Sequence, residues 1–173
     1  MKLTKSQFSD LDRRMSSQKE IGVIGGWTPV PVSSGEWQKI CALSLEGRVL
    51  TDQIILTAYP GQGDKRAKVH YSTQSGFQAA RLEIGHEDMR HINKGELPPK
   101  FPRRVSCPHV HLWQDNRLRL MDGAQKAHLP LANNLPNSIK NWEEAVLWFI
   151  TECWVALPEH MEKFGLPPQD RLL

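Results

Sequence analysis

The segment from Trp37 to Ile84 constrains the fold more than any other, because short turn signals separate four consecutive β-rich runs there. The runs span residues 37–45, 48–59, 65–73 and 77–84. In the last run, Leu82 and Ile84 alternate with the charged residues Arg81 and Glu83, as expected for a strand with one face in water. Short connections join antiparallel neighbours, so the segment predicts a β-meander.

A helical pattern precedes the meander. Thr4 can accept a hydrogen bond from the backbone three residues further on, and Gln7 can reach back, which is the capping-box pattern. Apolar residues then recur on one helical face, at Phe8, Leu11 and Met15. The pattern predicts an amphipathic helix over residues 5–18.

A second helical pattern follows the meander. Its apolar residues form a wide stripe: Trp142, Ala145, Val146, Phe149, Ile150, Cys153, Trp154 and Leu157. Three residues can cap its start: Asn137, Ser138 and Asn141. Pro158 should end the helix, because proline cannot continue it. The stripe can cover one face of a sheet, so we predict that its tryptophans, Trp154 included, are buried.

Together these patterns predict an α+β fold. We expect an antiparallel meander of about six strands, with the N-terminal helix and the C-terminal amphipathic helix on one face. A chain of 173 residues fits one domain of ordinary size. We therefore expect a single domain over residues 1–157, followed by a turn and tail at 158–173.

Composition narrows the class of protein. A hydrophobic content of 39% with 24% charged residues is typical of a soluble globular protein, and no apolar run approaches the length of a membrane helix. The N-terminus lacks the apolar segment of a signal peptide. Three widely spaced cysteines match neither a disulfide framework nor a CxxC zinc motif. We expect a cytoplasmic protein with no membrane partner.

The most distinctive local motif is the run Cys107–Trp113, which carries two histidines at alternate positions. As a strand, it would place His109, His111 and Trp113 on one face, with the intervening residues in the core. The segment from Gly85 to Ser106 has neither helical nor strand periodicity and should be a long loop, on the opposite side of the sheet from the helices. After the run, we predict a hairpin turn at 115–116 and a strand at 117–121.

Positive charge is concentrated around the histidine run. From Arg90 to Arg119 there are seven Lys or Arg residues and two acids, a local balance of +5 in a chain whose net charge is +3. Such a concentration favours an anion-binding face. We predict that six of these residues bind nucleic acid: Lys94, Lys100, Arg103, Arg104, Arg117 and Arg119.

These motifs resemble those of a family of small uncharacterised bacterial proteins with an RLDI, HxNPDG and CPHIHIY core. The resemblance rests on Ala80–Ile84, on His91-x-Asn93 and on Cys107–Trp113, within a match that covers residues 65–155 and the N-terminal helix. The chain departs from the pattern at Lys94-Gly95-Glu96, where Pro-Asp-Gly would stand. The family is distantly similar to the TumE-type toxins of bacterial toxin–antitoxin pairs.

The resemblance implies site residues at the matching positions: His91, Asn93, Cys107, Pro108, His109 and His111. The histidine pair is compatible with three roles. Two imidazoles at i and i+2 can share a metal ion, with His86, His91 or Asp115 completing the set. They can act as acid and base in RNA cleavage, with basic side chains stabilising the charge. They can also simply hydrogen-bond the long loop and hold it down.

Our working hypothesis assigns His91, His109 and His111 as catalytic residues, with no metal and no cofactor. We expect a toxin-like or effector protein of a bacterial or phage conflict system that acts on RNA, by binding or by metal-independent cleavage. Its partners would be RNA and a protein, either an antitoxin or a defence-system component. The alternative is a non-enzymatic inhibitor, such as an anti-CRISPR-like protein. A nucleic-acid mimic would more naturally be acidic, which favours the RNA hypothesis.

Overall fold

A computed structural model describes residues 4–31, 35–59, 66–85, 89–121, 129–156, 159 and 164–167. Its elements in chain order are α1 (Lys5–Ser16), β1 (Glu20–Ile24), β2 (Thr28–Pro29), β3 (Trp37–Leu45), β4 (Arg48–Ala58), β5 (Ala67–Ser72), β6 (Gln78–Ile84), β7 (Arg90–Ile92), β8 (Arg104–Ser106), β9 (His109–His111), α2 (Trp113–Met121), β10 (Asn133–Asn134) and α3 (Trp142–Glu152). The α+β class is confirmed, with helices at both ends of a mostly antiparallel sheet.

The meander forms the centre of an eight-stranded sheet in the order β1-β3-β4-β5-β6-β9-β10, with β2 added beside β3. Strands β3 to β6 pair antiparallel in sequence order, as the four β-rich runs predict. The sheet has more than the expected six strands, because short segments outside the meander extend both edges. The turn predicted between the second and third β-rich runs, at residues 60–64, lies outside the described residues.

One face of the sheet, here called the core face, packs against the helices. Leu56, Val69, Leu82 and Val110 lie across four strands on this face and are fully buried with Phe149 of α3. Helix α1 begins at the predicted capping box, where Thr4 and Gln7 exchange hydrogen bonds. It ends at Ser16, two residues earlier than expected.

The opposite face of the sheet is the polar face. Cross-strand registry aligns its side chains in two rows, because residues paired across antiparallel strands point to the same side. The rows are His70, Arg81 and His111, and Lys68, Glu83 and His109.

The predicted loop at 85–106 is wrong in part. Strands β7 and β8 form an antiparallel pair, in which His91 lies opposite Val105. The sequence signal is weak because each strand has only three residues. We call this pair the β7–β8 hairpin.

The predicted turn at 115–116 and strand at 117–121 are also wrong, since these residues belong to α2. Asn116 looks like a turn residue in the sequence, but its side chain is buried and bonds the Leu131 amide and carbonyl at 2.7 and 2.9 Å. Trp113 also starts this helix and does not share a face with the histidines. It packs on the core side against Phe8 and Phe77.

Helix α3 is capped by Asn141, one of the three predicted candidates, which accepts from the Glu144 amide at 2.9 Å. It ends at Glu152, well before Pro158. Trp142 is buried as expected, but Trp154 is 53% exposed, so its predicted burial is wrong. No helix among the described residues is long and apolar enough to cross a membrane.

Candidate functional site

The site lies on the polar face, where β9 pairs with β6. One residue, Val110, separates His109 from His111 in the strand. Both histidine side chains therefore point away from the core face, while the Val110 side chain packs into it. Their cross-strand partners are Glu83 and Arg81. This registry places two histidines, a carboxylate and a guanidinium side by side.

The β7–β8 hairpin adds the third histidine. His91 faces the sheet, and its ring centre lies 4.7 Å from that of His111 and 5.8 Å from that of His109. One ligand nitrogen from each of the three residues lies within 4.8 Å of the other two. The structure therefore brings all three predicted catalytic histidines together, and we call them the histidine cluster.

A chain of polar contacts runs along the cluster. Cys107 Sγ lies 3.4 Å from His109 Nδ1, and Glu83 Oε2 lies 3.2 Å from His109 Nε2 without the alignment of a true hydrogen bond. Glu83 also pairs with Arg81 at 2.7 Å, and Arg81 Nη2 lies 3.2 Å from His111 Nε2. Each imidazole therefore has different electrostatic surroundings.

These surroundings separate the pKa values of the histidines. Burial opposes charge on His109, but its contacts with Cys107 and Glu83 outweigh burial and raise its pKa to about 9. The contact with His109, together with the Arg81 charge, lowers the pKa of Glu83 to about 2 against the effect of burial. Burial, followed by the charge of Arg81, lowers the pKa of His111 to about 3.

Burial also lowers the pKa of His91. At neutral pH the cluster therefore contains one imidazolium, on His109, and two neutral rings. A charged ring beside neutral rings is the arrangement that acid–base chemistry needs. However, His109 is 3% exposed and His111 is fully buried, so a substrate reaches neither ring in this conformation.

The His91-x-Asn93 motif also has a structural role. His91 Nε2 hydrogen-bonds the Pro130 carbonyl at 3.0 Å. Asn93 is fully buried, and its side chain bonds both the amide and the carbonyl of Ala132, at 2.8 and 2.9 Å. The motif therefore fastens the β7–β8 hairpin to the segment that leads into β10.

The six basic residues predicted to bind nucleic acid divide into two groups. Lys100 pairs with Asp115 at 2.6 Å, and Arg117 pairs with Asp12 at 2.5 Å. A carboxylate thus offsets each of these charges. The other four have no carboxylate partner among the described residues: Lys94, Arg103, Arg104 and Arg119.

Two of these four residues, Arg103 and Arg119, hold one turn. Arg103 donates to the carbonyls of Asn93 and Gly95, at 3.3 and 3.1 Å. Arg119 donates to the carbonyls of Lys94, at 2.8 Å, and Glu96. Gly95 has a φ of +79°, which favours glycine here. Carbonyl groups carry no net charge, so these hydrogen bonds do not neutralise the positive charges of Arg103 and Arg119.

Sequence reasoning missed Arg81, Glu83 and the buried His70 as neighbours of the site. The alternation of apolar and charged residues predicted that Arg81 and Glu83 lie on the solvent-facing side of their strand. Only the pairing of β6 with β9 shows that they lie beside the histidines. His86 and His128, the other two histidines of the same region, lie outside the described residues. No family model matches the chain, and the searches of curated proteins and of solved structures return no match.

Proposed function

We propose that this protein binds RNA through the outer surface of the β7–β8 hairpin and the adjoining turn. The observation that carries the proposal is a group of basic side chains with no carboxylate partner among the described residues. We call this group the basic patch: Arg90, Lys94, Arg103, Arg104 and Arg119.

The hairpin separates the patch from the cluster beneath it. Arg90 and Arg104 are exposed, whereas the intervening Val105 is buried and His91 is half-buried against the sheet. An outward row of guanidinium groups can pair with phosphates, and arginine matches phosphate geometry well. The exposed Ile92 lies opposite Arg104 across the hairpin, two residues from Arg90, and offers an apolar contact for a base.

The proposal is limited to binding. Cleavage at His109 and His111 would require the hairpin to lift, because both rings are buried beneath it. We further propose a small effector or toxin-like protein that works in a reducing cytoplasm with a protein partner. The reducing compartment is supported by three cysteines that are free and buried: Cys41, Cys107 and Cys153.

The salt dependence of RNA affinity tests the proposal. Each phosphate contact releases counterions, so the affinity for a short single-stranded RNA should fall steeply with salt. The double variant Lys94→Ala with Arg104→Ala should reduce the slope of the log–log plot by about 1.4 units, since each contact with a single strand contributes about 0.7. Fluorescence anisotropy at several salt concentrations measures this slope.

A matched variant controls for net charge. Lys5→Ala with Arg48→Ala also removes two exposed cations but leaves the basic patch intact, so its slope should stay near that of the wild type. Absence of RNA binding at low salt, or equal slopes for the two double variants, would contradict the proposal. Either result would favour the alternative, a protein inhibitor of the anti-CRISPR-like kind.

A further inference from the structure

We propose that the histidine cluster binds a divalent transition metal, and that zinc fits it best. The working hypothesis from the sequence assigned no metal, although His86, His91 or Asp115 could have completed a ligand set with His109 and His111. The structure adds His91 from a different strand and places one nitrogen of each ring within 4.8 Å of the others. The proposal does not depend on RNA binding.

The spacing of the rings fits a shared ion. Their centres lie 4.7, 5.3 and 5.8 Å apart. Three imidazoles on one tetrahedral zinc, with Zn–N bonds of about 2.1 Å, have ring centres roughly 5 Å apart. The rings are inclined to one another by 43° to 90°, so they do not stack face to face. Small side-chain shifts would bring the three nitrogens onto one ion.

Hydrogen bonds and charges in the cluster determine which ring nitrogens a metal would take. His91 Nε2 bonds the Pro130 carbonyl, which can only accept, so the proton resides there and the Nδ1 lone pair is left for a metal. His111 Nδ1 is buried without a hydrogen-bond partner among the described residues. Arg81 can only donate to His111 Nε2, so a metal would bind this ring at Nε2 in place of Arg81, or at Nδ1 after a change of tautomer. Glu83 faces Nε2 of His109, so a metal would bind that ring at Nδ1 and replace a proton of the imidazolium there. Buried polar atoms are normally satisfied, and coordination can meet that requirement.

The surroundings also suit such a site. Arg81 and Glu83 pair at 2.7 Å, so the two fixed charges beside the rings offset each other. Glu83 Oε2, 3.2 Å from His109, is placed like the carboxylates that orient metal-binding histidines. A set of three nitrogen ligands favours zinc and its transition-metal neighbours over calcium or magnesium, which prefer oxygen.

A bound ion would join β7 of the hairpin to β9 of the main sheet. Three protein ligands leave a fourth position for water or another small ligand, the pattern of zinc sites that retain an open position. The cluster is most accessible at His91, which is half-buried, whereas His109 and His111 are buried.

Metal content tests the inference directly. Untagged protein would be incubated with Zn²⁺ alone, freed of excess metal, and analysed by inductively coupled plasma mass spectrometry. We expect about one zinc per chain in the wild type and roughly a tenth of that in His91→Asn. His70→Asn is the matched control, because His70 is another buried histidine of the polar face outside the cluster, and it should retain the wild-type content.

Cobalt gives a second measurement that does not depend on zinc recovery. Wild-type and His70→Asn proteins should show the visible absorption of tetrahedral Co²⁺ with nitrogen ligands, and His91→Asn should not. Circular dichroism would confirm that each variant is folded. Zinc that is absent from the reconstituted wild type, or equally present in folded His91→Asn, would overturn the inference. The experiment contains no RNA, so its failure is distinct from failure of the proposed function.

Discussion

At the scale of single residues, His70 shows how position on the polar face determines protonation. It is 8% exposed on β5, and its Nδ1 has no hydrogen-bond partner among the described residues. Burial, with the nearby charges of Lys68 and Arg81, lowers its pKa from 6.5 to about 4. His70 is therefore a neutral, buried histidine of the polar face, in contrast to the charged His109.

This depressed pKa predicts a loss of stability in acid. Between pH 6.5 and pH 4, His70 is protonated in the unfolded chain but stays neutral in the folded protein. The free energy of unfolding therefore falls as the pH drops through this window. From pH 7 to pH 5, the wild type should lose about 1 to 2 kcal/mol more free energy of unfolding than His70→Asn. Urea denaturation at both pH values measures the difference, and equal losses would contradict the assignment.

At the scale of elements, the end of α3 explains why Trp154 leaves the apolar stripe. Trp154 adopts a left-handed backbone conformation, with a φ of +55°. Its amide bonds the Thr151 carbonyl at 2.9 Å, and the Val155 amide bonds the Ile150 carbonyl at 3.2 Å. These two bonds form a Schellman motif, which ends the helix and directs the tryptophan toward solvent.

Trp142 in α3 and Trp154 just beyond its C-terminal end should therefore respond differently to substitution. Trp142 is 6% exposed and donates to the Phe164 carbonyl, so Trp142→Ala should cost about 3 to 5 kcal/mol. Trp154→Gly should change stability by less than about 1 kcal/mol, because glycine adopts the left-handed conformation without strain. Thermal or urea unfolding measures both. A large loss in Trp154→Gly would show that its exposed ring packs after all.

At the scale of the whole molecule, a buried ionic network ties α1 to the sheet. Asp52 of β4 is fully buried and receives both Arg14 of α1, at 2.5 and 2.6 Å, and the Tyr71 hydroxyl of β5, at 2.6 Å. Arg14 also pairs with the half-exposed Asp10 at 2.9 Å. One guanidinium thus makes a buried and an exposed ion pair.

These two pairs should differ in their contribution to stability. Asp52→Ala leaves Arg14 and Tyr71 without their buried acceptor, so it should cost about 3 to 5 kcal/mol. Asp10→Ala removes an exposed acceptor of the same arginine, and water can take the place of this acceptor. The substitution should therefore cost less than about 1 kcal/mol. Chemical denaturation of both variants gives the comparison. Equal costs would show that the network does not hold α1 in place.

Local sequence patterns predicted much of the fold. The capping box at Thr4 and Gln7 predicted the start of α1, and the turn signals between β-rich runs predicted the meander, because both depend on neighbours in the chain. Alternation also placed Val110 inside and the flanking histidines on the other face. The segments predicted wrongly were those in which distant partners decide conformation, such as Asn116, whose side chain bonds Leu131.

For the site, the sequence by itself determined the chemical groups and their alternation along β9. It could not determine what lies beside them, since strand order and registry come from packing across the whole sheet. The pairing of β6 with β9 places Glu83 and Arg81 beside His109 and His111, and the β7–β8 hairpin places His91 next to both rings. Only this tertiary arrangement turned two histidines in a strand into a cluster of three.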